Sequence, residues 1–356
     1  MPKKIEITRR EALAAYAAGL CVGAAASAQE KPSATRMGVV IHSYGIRGGA
    51  PVAAGETRFS DPIIFLEHCV KLGAGGVQVS IGVKDKEYIA RLRAITEKLG
   101  AYLEGIVSLP RDKADVSRFD DELRTAREAG VTVVRCAILG GRRYETFDTT
   151  ESFQQFKQQA YEKVGLAEPV AAKHGVRLAI ENHKDWRIDE LLDILNRASS
   201  RHVGVCIDTG NSIALLEDPH EVVDAYAKWA FTTHFKDMGV QEYADGFLLS
   251  EVPLGTGFLD MKRIVTTLRK ARPDIRFNLE MMTRDPLKVP CLTEKYWATF
   301  ETLPGRHLAD ALTRVRRNAA KEALPVISGL PPQTKIDREE DNVRKCFSYA
   351  RENLGL

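Results

Sequence analysis

Short apolar runs alternate with amphipathic helical patterns along most of the chain. The apolar runs are rich in Val, Ile and Leu and have the length of strands, which is typical of parallel strands buried on both faces. The patterns between them, such as VSRFDDELRTAREAG, often begin near Asp and end with Gly or Lys, as helices prefer. Eight strands are predicted, at residues 38–44, 76–81, 102–109, 131–139, 176–182, 203–208, 231–234 and 276–282.

This alternation predicts an α/β fold, a (β/α)₈ TIM barrel, because eight such units in about 245 residues match the usual size of that fold. The barrel is placed at residues 37–282. Beyond it the alternation stops, and helical patterns follow at residues 306–322 and 337–353, separated by a Pro-rich break. We therefore expect residues 283–356 to form a C-terminal helical extension, packed on the outside of the barrel or across its mouth.

The first 28 residues differ from the rest of the chain. Arg9 and Arg10 precede an Ala-rich run at residues 12–26, and Ala26-Ser27-Ala28 offers a small-residue cleavage site. These features predict a twin-arginine export signal at residues 1–28, a linker at 29–36 and a periplasmic location. A membrane anchor or an ordinary first helix is the alternative. The apolar run is shorter than the roughly 20 residues that span a bilayer, so we expect no membrane span in the mature chain.

Composition and charge exclude several classes of partner. The 356 residues are 44% hydrophobic and 28% charged, which is an ordinary globular composition. The formal net charge is +3, and part of it belongs to the predicted signal, so the body of the protein gives no electrostatic reason to bind nucleic acid. The cysteines after the signal show no paired spacing, and we expect buried free thiols rather than a disulfide framework.

Polar residues stand at the ends of the last four predicted barrel strands: Glu181, Asp208, His234 and Glu280. The carboxyl ends of barrel strands converge on one mouth, so these side chains are expected to meet. Three carboxylates and an imidazole at one point repel one another unless a cation joins them. Singly, each residue could cap a helix or lie in the core, but the set of four predicts one divalent metal ion. This oxygen-rich set suits Mn²⁺ first, and also Mg²⁺ or Co²⁺, better than a structural zinc.

The segments that carry these residues, AIENH, CIDTGN, HFKD and NLEMM, resemble the xylose-isomerase-like TIM-barrel superfamily. That superfamily includes sugar isomerases and epimerases, hydroxypyruvate isomerases and endonuclease IV, and the resemblance covers residues 37–282. It implies that the four strand-end residues bind a single metal. It also implies that Glu181 and Glu280 act as an acid/base pair on opposite faces of the substrate. Asn211 stands where ketose 3-epimerases carry a substrate-binding histidine, so their substrate specificity does not transfer.

The chemistry of two glutamates beside one ion follows from general principles. Removing a proton next to a carbonyl requires a base within about 3 Å and a group that stabilises the enediolate. A cation chelated by substrate oxygens stabilises it as a Lewis acid. A second carboxyl group returns the proton to the other face or to the adjacent carbon. The sequence therefore predicts a metal-dependent isomerase or epimerase of a small carbohydrate, and export favours an unphosphorylated sugar.

Two other functions compete with this prediction. The same base and ion can drive decarboxylation or β-elimination, and DTGNSIALLEDP with TRDPLKVP is similar to the 3-oxo-isoapionate decarboxylase branch of the superfamily. An exported, non-catalytic sugar-binding protein is the third possibility. Nuclease action is disfavoured because the chain shows one set of strand-end ligands and no basic face. A homo-oligomer is compatible with the sequence.

Further polar residues at strand ends or inside apolar runs are candidates for contacting the substrate. Each also has a structural explanation: His183 could orient Glu181, and Arg284 could cap the first turn of the tail. His42 and Glu104, with Arg135, could line the mouth or pair as buried ions. The predicted substrate-binding residues are His42, Glu104, His183, Asn211, Lys236 and Arg284.

Three loop features are also open to two interpretations. Residues 140–143, Gly-Gly-Arg-Arg, could form an anion cradle or a turn with solvated arginines. Asp237 is expected to cap a turn rather than to act in the site. The glycine-rich segment PLGTGFLD at residues 253–260 is interpreted as a wall of the site and not as a nucleotide-binding loop.

Overall fold

The computed structural model describes residues 36–53 and 56–356, and it contains the closed parallel barrel that the sequence predicts. The predicted export signal and nearly all of the predicted linker lie outside these residues. The eight barrel strands follow one another around the barrel in sequence order, and the last pairs with the first. They are β1 Gly38–Val40, β2 Gly76–Val79, β3 Tyr102–Ile106, β4 Val133–Cys136, β5 Arg177–Glu181, β6 Val203–Asp208, β7 Ala230–Phe235 and β10 Phe277–Leu279.

Helices surround the barrel and bury their apolar faces against it. Several begin at an aspartate whose carboxylate accepts backbone N–H groups of the first turn, as Asp61 and Asp218 do. The helices are α1 Gly45–Gly49, α2 Pro62–Lys71, α3 Lys86–Lys98, α4 Val116–Glu128, α5 Arg143–Thr146, α6 Thr150–His174, α7 Ile188–Ala198, α8 Pro219–Tyr226, α9 Met261–Ala271, α10 Glu294–Trp297, α11 Arg306–Arg317 and α12 Pro332–Tyr349.

A second sheet, which the sequence analysis missed, consists of two strands between the seventh and eighth barrel strands in the chain and one strand after the eighth. It is antiparallel, and its order is β11-β9-β8. Strands β8 Asp237–Tyr243 and β9 Gly246–Val252 form a hairpin, and β11 Leu287–Val289 pairs with β9. Because a single residue, Lys236, separates the end of β7 from the start of β8, the hairpin rises directly from the rim of the barrel.

The C-terminal extension packs at the mouth of the barrel. Glu339 of α12 accepts hydrogen bonds from the backbone N–H groups of Ile46 (2.8 Å) and Arg47 (3.0 Å). Glu340 accepts one from the Tyr44 hydroxyl at 2.9 Å. These partners follow the carboxyl end of β1, so the extension supports the rim from which the first loop leaves. The final helix begins at Pro332 instead of residue 337, and the preceding helix ends at Arg317 instead of residue 322.

Several predicted strands are shorter in the structure. Strand β1 ends at Val40, and Ile41–Tyr44 form a 3₁₀ turn, so His42 lies just beyond the strand rather than on it. The cysteines are confirmed as free and buried among the described residues. No helix in residues 36–53 or 56–356 combines the length and the apolar character that spanning a bilayer requires.

Close packing inside the barrel predicts that Gly76→Ala destabilises the protein. A methyl group at Gly76 would clash with the ring and the carbonyl oxygen of Tyr102 on the neighbouring strand. Overpacking of this kind costs about 1–3 kcal/mol of the free energy of unfolding, measured by chemical denaturation. Gly165→Ala is the matched control, because Gly165 lies within α6 and, apart from the adjacent residues and the backbone of that helix, no described atom lies within 4 Å of the new methyl group. We expect the control to be neutral or slightly stabilising, and equal stability of the two variants would contradict the clash.

Candidate metal centre

The four predicted ligand residues meet at the mouth of the barrel. Glu181 and Asp208 are the last residues of β5 and β6, His234 lies next to the end of β7, and Glu280 directly follows β10. These strands are neighbours in the barrel. One donor atom from each residue lies within 4.8 Å of the others, and all four side chains are buried. The alternation of strands and helices therefore brings together residues that are far apart in the sequence.

The imidazole of His234 is held in one orientation by Gln78 on β2. His234 Nε2 lies 2.7 Å from Gln78 Oε1, and the amide nitrogen of Gln78 donates to Glu104 Oε2 at 3.1 Å. Since an amide oxygen can only accept, Nε2 carries the proton. In the neutral ring, Nδ1 therefore presents a lone pair to Glu280 Oε1 at 3.1 Å and to Glu181 Oε1 at 3.5 Å.

Asp208 and Glu181 are fixed by donors outside the cluster. Asp208 Oδ1 accepts the backbone N–H groups of Gly210 and Asn211, each at 2.9 Å. Glu181 Oε2 accepts from Arg135 Nε at 2.5 Å, and its Oε1 accepts from Asn211 Nδ2 at 3.1 Å. Burial opposes ionisation of Glu181, but Arg135 and His234 more than offset it and hold the pKa of that carboxyl below its usual range. Glu181 is therefore ionised at neutral pH.

Glu280 has a different set of neighbours. Its Oε1 accepts from His42 Nδ1 at 2.8 Å, and its Oε2 accepts from Lys236 Nζ at 2.5 Å. Lys236 Nζ also lies 2.7 Å from Asp208 Oδ2. Burial again opposes ionisation, but His234 and Lys236 lower the pKa of Glu280 below its usual range. Lys236 thus contacts the cluster carboxylates directly, in addition to lining the cavity.

The donor atoms suit a divalent ion. His234 Nδ1 has no hydrogen-bond partner among the described residues, although it is fully buried and faces two carboxylate oxygens. Burial opposes charge on His234, but Cys206, Glu280 and Glu181 raise its pKa well above the usual range, so without a metal ion this nitrogen carries a proton, which a divalent ion would replace. Three carboxylates and one imidazole nitrogen are a ligand set that Mn²⁺, Mg²⁺ and Co²⁺ accept. Glu181, Asp208, His234 and Glu280 would hold the ion.

A cavity of about 460 Å³ opens above the cluster. Glu181 and Glu280 reach its floor. Most of the residues predicted to bind substrate lie in its wall, and Glu104 does not. The predicted residues in the wall are His42, His183, Asn211, Lys236 and Arg284.

Glu104 lies inside the barrel, fully buried. Its Oε2 accepts hydrogen bonds from Thr232 Oγ1 at 2.6 Å and from Asn278 Nδ2 at 3.0 Å, in addition to Gln78. The structure therefore connects Glu104 to the centre through Gln78 and His234, and not through the cavity. Gln78 itself was missed, although a polar residue inside the apolar run GVQVSI is the same signal that drew attention to Glu104.

Two further residues of the site were not predicted. Lys184 lines the cavity, and its ammonium donates to Asn211 Oδ1. Glu251 of β9 accepts two hydrogen bonds from the Arg284 guanidinium. Arg284 Nε donates to Oε2 at 3.0 Å, and Nη2 donates to Oε1. Arg284 thus reaches the cavity wall, and the missed hairpin supplies its partner.

The loop features have structural explanations. Arg143 is buried, pairs with Glu190 at 2.8 Å and stacks on Phe153 and Phe300, so it is neither solvated nor part of an anion cradle. Gly140 and Gly141 line the cavity. Asp237 accepts N–H groups from the segment at residues 253–260, which confirms it as a turn cap.

Comparisons with known proteins agree with this geometry. Residues 66–302 match the family described as xylose isomerase-like TIM barrel. A curated relative, 3-oxo-isoapionate decarboxylase from Pectobacterium atrosepticum, is 27% identical over 224 residues, which is 60% of this chain and 76% of the relative.

Two solved structures show the same fold. D-psicose 3-epimerase in the presence of D-fructose has a TM-score of 0.57 and 15% identity, covering 90% of this chain and 100% of that one. A xylose isomerase-like TIM barrel protein from Mycobacterium smegmatis in complex with magnesium has a TM-score of 0.52 and 16% identity, covering 78% of this chain and 97% of that one. At these identities the likeness establishes the fold.

The contact between Gln78 and His234 predicts that Gln78→Met weakens metal binding. Methionine fills a similar volume but cannot accept the Nε2 proton, so the ring loses its fixed orientation. Loss of such a partner costs about 10–100-fold in metal affinity, which titration of the metal-free protein with Mn²⁺ would measure. Gln158→Met, on the exposed face of α6, is the control and should leave affinity unchanged. Unchanged affinity in Gln78→Met would show that Gln78 does not orient a ligand.

Proposed function

Because the chain belongs to the xylose isomerase-like TIM barrel family, we propose that it is a metal-dependent enzyme that isomerises or epimerises a small carbohydrate by proton transfer. The observation that carries this proposal is the pair of ionised carboxylates, Glu181 and Glu280, at the floor of one cavity. They lie at the ends of β5 and β10, which are separated by β6 and β7 in the barrel, and we propose that they approach a bound substrate from different sides.

The proposed ligands of the ion are Glu181, Asp208, His234 and Glu280. A divalent ion bound there supplies Lewis acidity, which stabilises negative charge on neighbouring substrate oxygens. We propose Mn²⁺ as the ion, with Mg²⁺ and Co²⁺ as the alternatives, because the ligand set is rich in oxygen.

The protein's own residues perform the proton transfer. We propose that one glutamate removes a proton from the carbon next to the carbonyl and that the other returns a proton. Arg135 and Asn211 fix Glu181, whereas His42 and Lys236 fix Glu280. Each carboxylate is therefore held in position before substrate arrives, which reduces the reorganisation that the reaction requires. The Lys236 ammonium also adds positive charge beside the negative charge that develops.

Decarboxylation of an oxo-sugar acid is the second candidate. The relative from Pectobacterium atrosepticum is named as a decarboxylase, and the cavity wall of this chain is rich in cationic side chains. Loss of CO₂ next to a carbonyl leaves negative charge on the same substrate oxygens, so the same site would stabilise it. A protein that binds sugar without turnover is the third possibility, and it predicts binding that survives chelation of metal.

Residues 1–28 and the assembly of the protein remain predictions. We propose that the chain is exported to the periplasm by a twin-arginine signal and that it acts there on an unphosphorylated sugar. Asn211 donates to Glu181 and accepts from Lys184, so it is not free to replace the substrate-binding histidine of ketose 3-epimerases. We therefore propose a substrate that differs from theirs. We also propose that the protein forms a homo-oligomer.

The proposed acid/base role predicts that Glu280→Gln abolishes proton transfer. The amide keeps an oxygen for the ion but cannot accept a proton from carbon, so turnover should fall by about 10²–10⁴-fold while part of the metal affinity remains. The measurement is deuterium uptake from D₂O into a panel of sugars and oxo-sugars, followed by NMR with the Mn²⁺-loaded protein. Glu162→Gln on the exposed face of α6 is the control. Undiminished exchange in Glu280→Gln would rule out the role.

The same panel separates the candidate reactions. An isomerase or epimerase should incorporate deuterium at one carbon without releasing gas, whereas a decarboxylase should release one CO₂ for each product molecule. Treatment with EDTA should stop either reaction, and added Mn²⁺ should restore it. Exchange that continues after complete removal of metal would contradict the metal dependence.

A further inference from the structure

Lys184 differs from every other cationic residue of the cavity wall. It is buried, with 3% of its surface exposed, and it lines the cavity. Among the described residues its side chain bonds only to Asn211 Oδ1, a neutral acceptor, and no carboxylate lies within 4.0 Å. A buried ammonium without a carboxylate is costly, because burial removes its hydration without supplying an opposite charge.

The other cations of the wall are already compensated. Each has a carboxylate at hydrogen-bond distance, so each already forms an ion pair within the protein. These pairs are Arg135 with Glu181, Arg142 with Glu145, Lys236 with Asp208 and Glu280, and Arg284 with Glu251. Among the described residues, Lys184 is therefore the cation of this wall that has no carboxylate partner.

We propose that the substrate carries a carboxylate group and that Lys184 binds it. This inference rests on the proposed function, since it assigns the class of substrate for the same site. The substrate would then be a sugar acid, with one end on Lys184 and the reacting carbons above the glutamates.

The placement of Lys184 supports this assignment. Its ammonium bonds to Asn211, and Asn211 bonds in turn to Glu181 at 3.1 Å, so one side chain separates the lysine from a proposed acid/base residue. A carboxylate on Lys184 would therefore hold the next carbons of a short chain over Glu181 and Glu280. The cavity of about 460 Å³ is large enough for a small sugar acid.

The charges of the site agree with a singly charged anion. Arg135 and Lys236 offset two of the three carboxylates of the cluster, so a divalent ion would leave the cluster with one net positive charge. The Lys184 ammonium adds a second positive charge. A substrate carboxylate balances Lys184, and the charge that develops during proton abstraction balances the cluster. A phosphate dianion fits less well, because Arg142 and Arg284 are already paired with Glu145 and Glu251.

The test compares matched probes in calorimetric titrations of the Mg²⁺-loaded, full-length protein. D-gluconate and D-glucitol have the same carbon skeleton length and differ in the carboxylate. We expect wild-type protein to prefer gluconate and Lys184→Met to lose at least about tenfold of that preference, the usual size of a charge-assisted hydrogen bond. Any preference that comes from the metal ion persists in both proteins, so the contribution of Lys184 is the change between them.

Lys262→Met removes one charge from the exposed face of α9 and should behave as wild type. Equal affinity of wild-type protein for gluconate and glucitol would overturn the proposal without any variant, and so would a preference that Lys184→Met retains. Tighter binding of D-glucose 6-phosphate than of gluconate, dependent on Lys184, would overturn the assignment to a carboxylate.

The outcome is separable from that of the proposed function. Gluconate binding that depends on Lys184, in a protein that exchanges no protons with any sugar acid, would leave the inference standing and refute the enzyme. Proton exchange with neutral sugars, together with no preference for gluconate, would support the enzyme and refute the inference about Lys184.

Discussion

The mutual repulsion of three carboxylates buried at one end of a barrel is the constraint on which this site depends. Glu181 and Glu280 remain ionised in so small a volume because cations surround them, whereas burial raises the pKa of Asp208. Arg135 and Lys236 supply part of that compensation from within the chain. A divalent ion, with His234 as a fourth ligand, would supply the rest. The surrounding hydrogen bonds serve this end, since they turn the lone pairs of the ligands towards a common point.

The support of the centre extends inward through the barrel. His234 depends on Gln78, Gln78 on Glu104, and Glu104 on side chains of β7 and β10. The barrel interior is therefore partly polar just beneath the centre, and Gln78 and Glu104 Oε2 have partners that fix their direction. Such a network is rigid because every donor and acceptor limits the next. The position of one imidazole is thus determined by residues from four strands.

The sequence predicted the site well where the reactive side chains lie at the ends of strands. The four ligand residues were predicted because barrel strands have a fixed direction and because their ends converge, whatever lies between them in the chain. The sequence pattern does not show how deep along the barrel axis a polar residue lies. Glu104 lies two residues before the end of β3, whereas Glu181 is the last residue of β5, and this small difference places one in the interior and the other in the site.

Pairing between distant residues was also beyond the sequence. Nothing local shows that Arg284 binds Glu251 or that Lys184 lacks a carboxylate, because both depend on how the loops fold over the mouth. The hairpin of β8 and β9 had a signal, Asp245-Gly246 between two short runs of strand-forming residues, which is a recognised turn pattern. It was missed because the interval between two barrel strands was expected to hold only a loop and a helix.

The contacts of α12 have a consequence for how the protein matures. The loop after β1, which carries His42, is tied to Glu339 and Glu340 from the last helix of the chain. During synthesis the four ligand residues emerge from the ribosome well before that helix does. The ligands of a nascent chain therefore emerge while the rim beside Glu280 still lacks its support, and the synthesis of α12 marks the point at which the mouth acquires its native form.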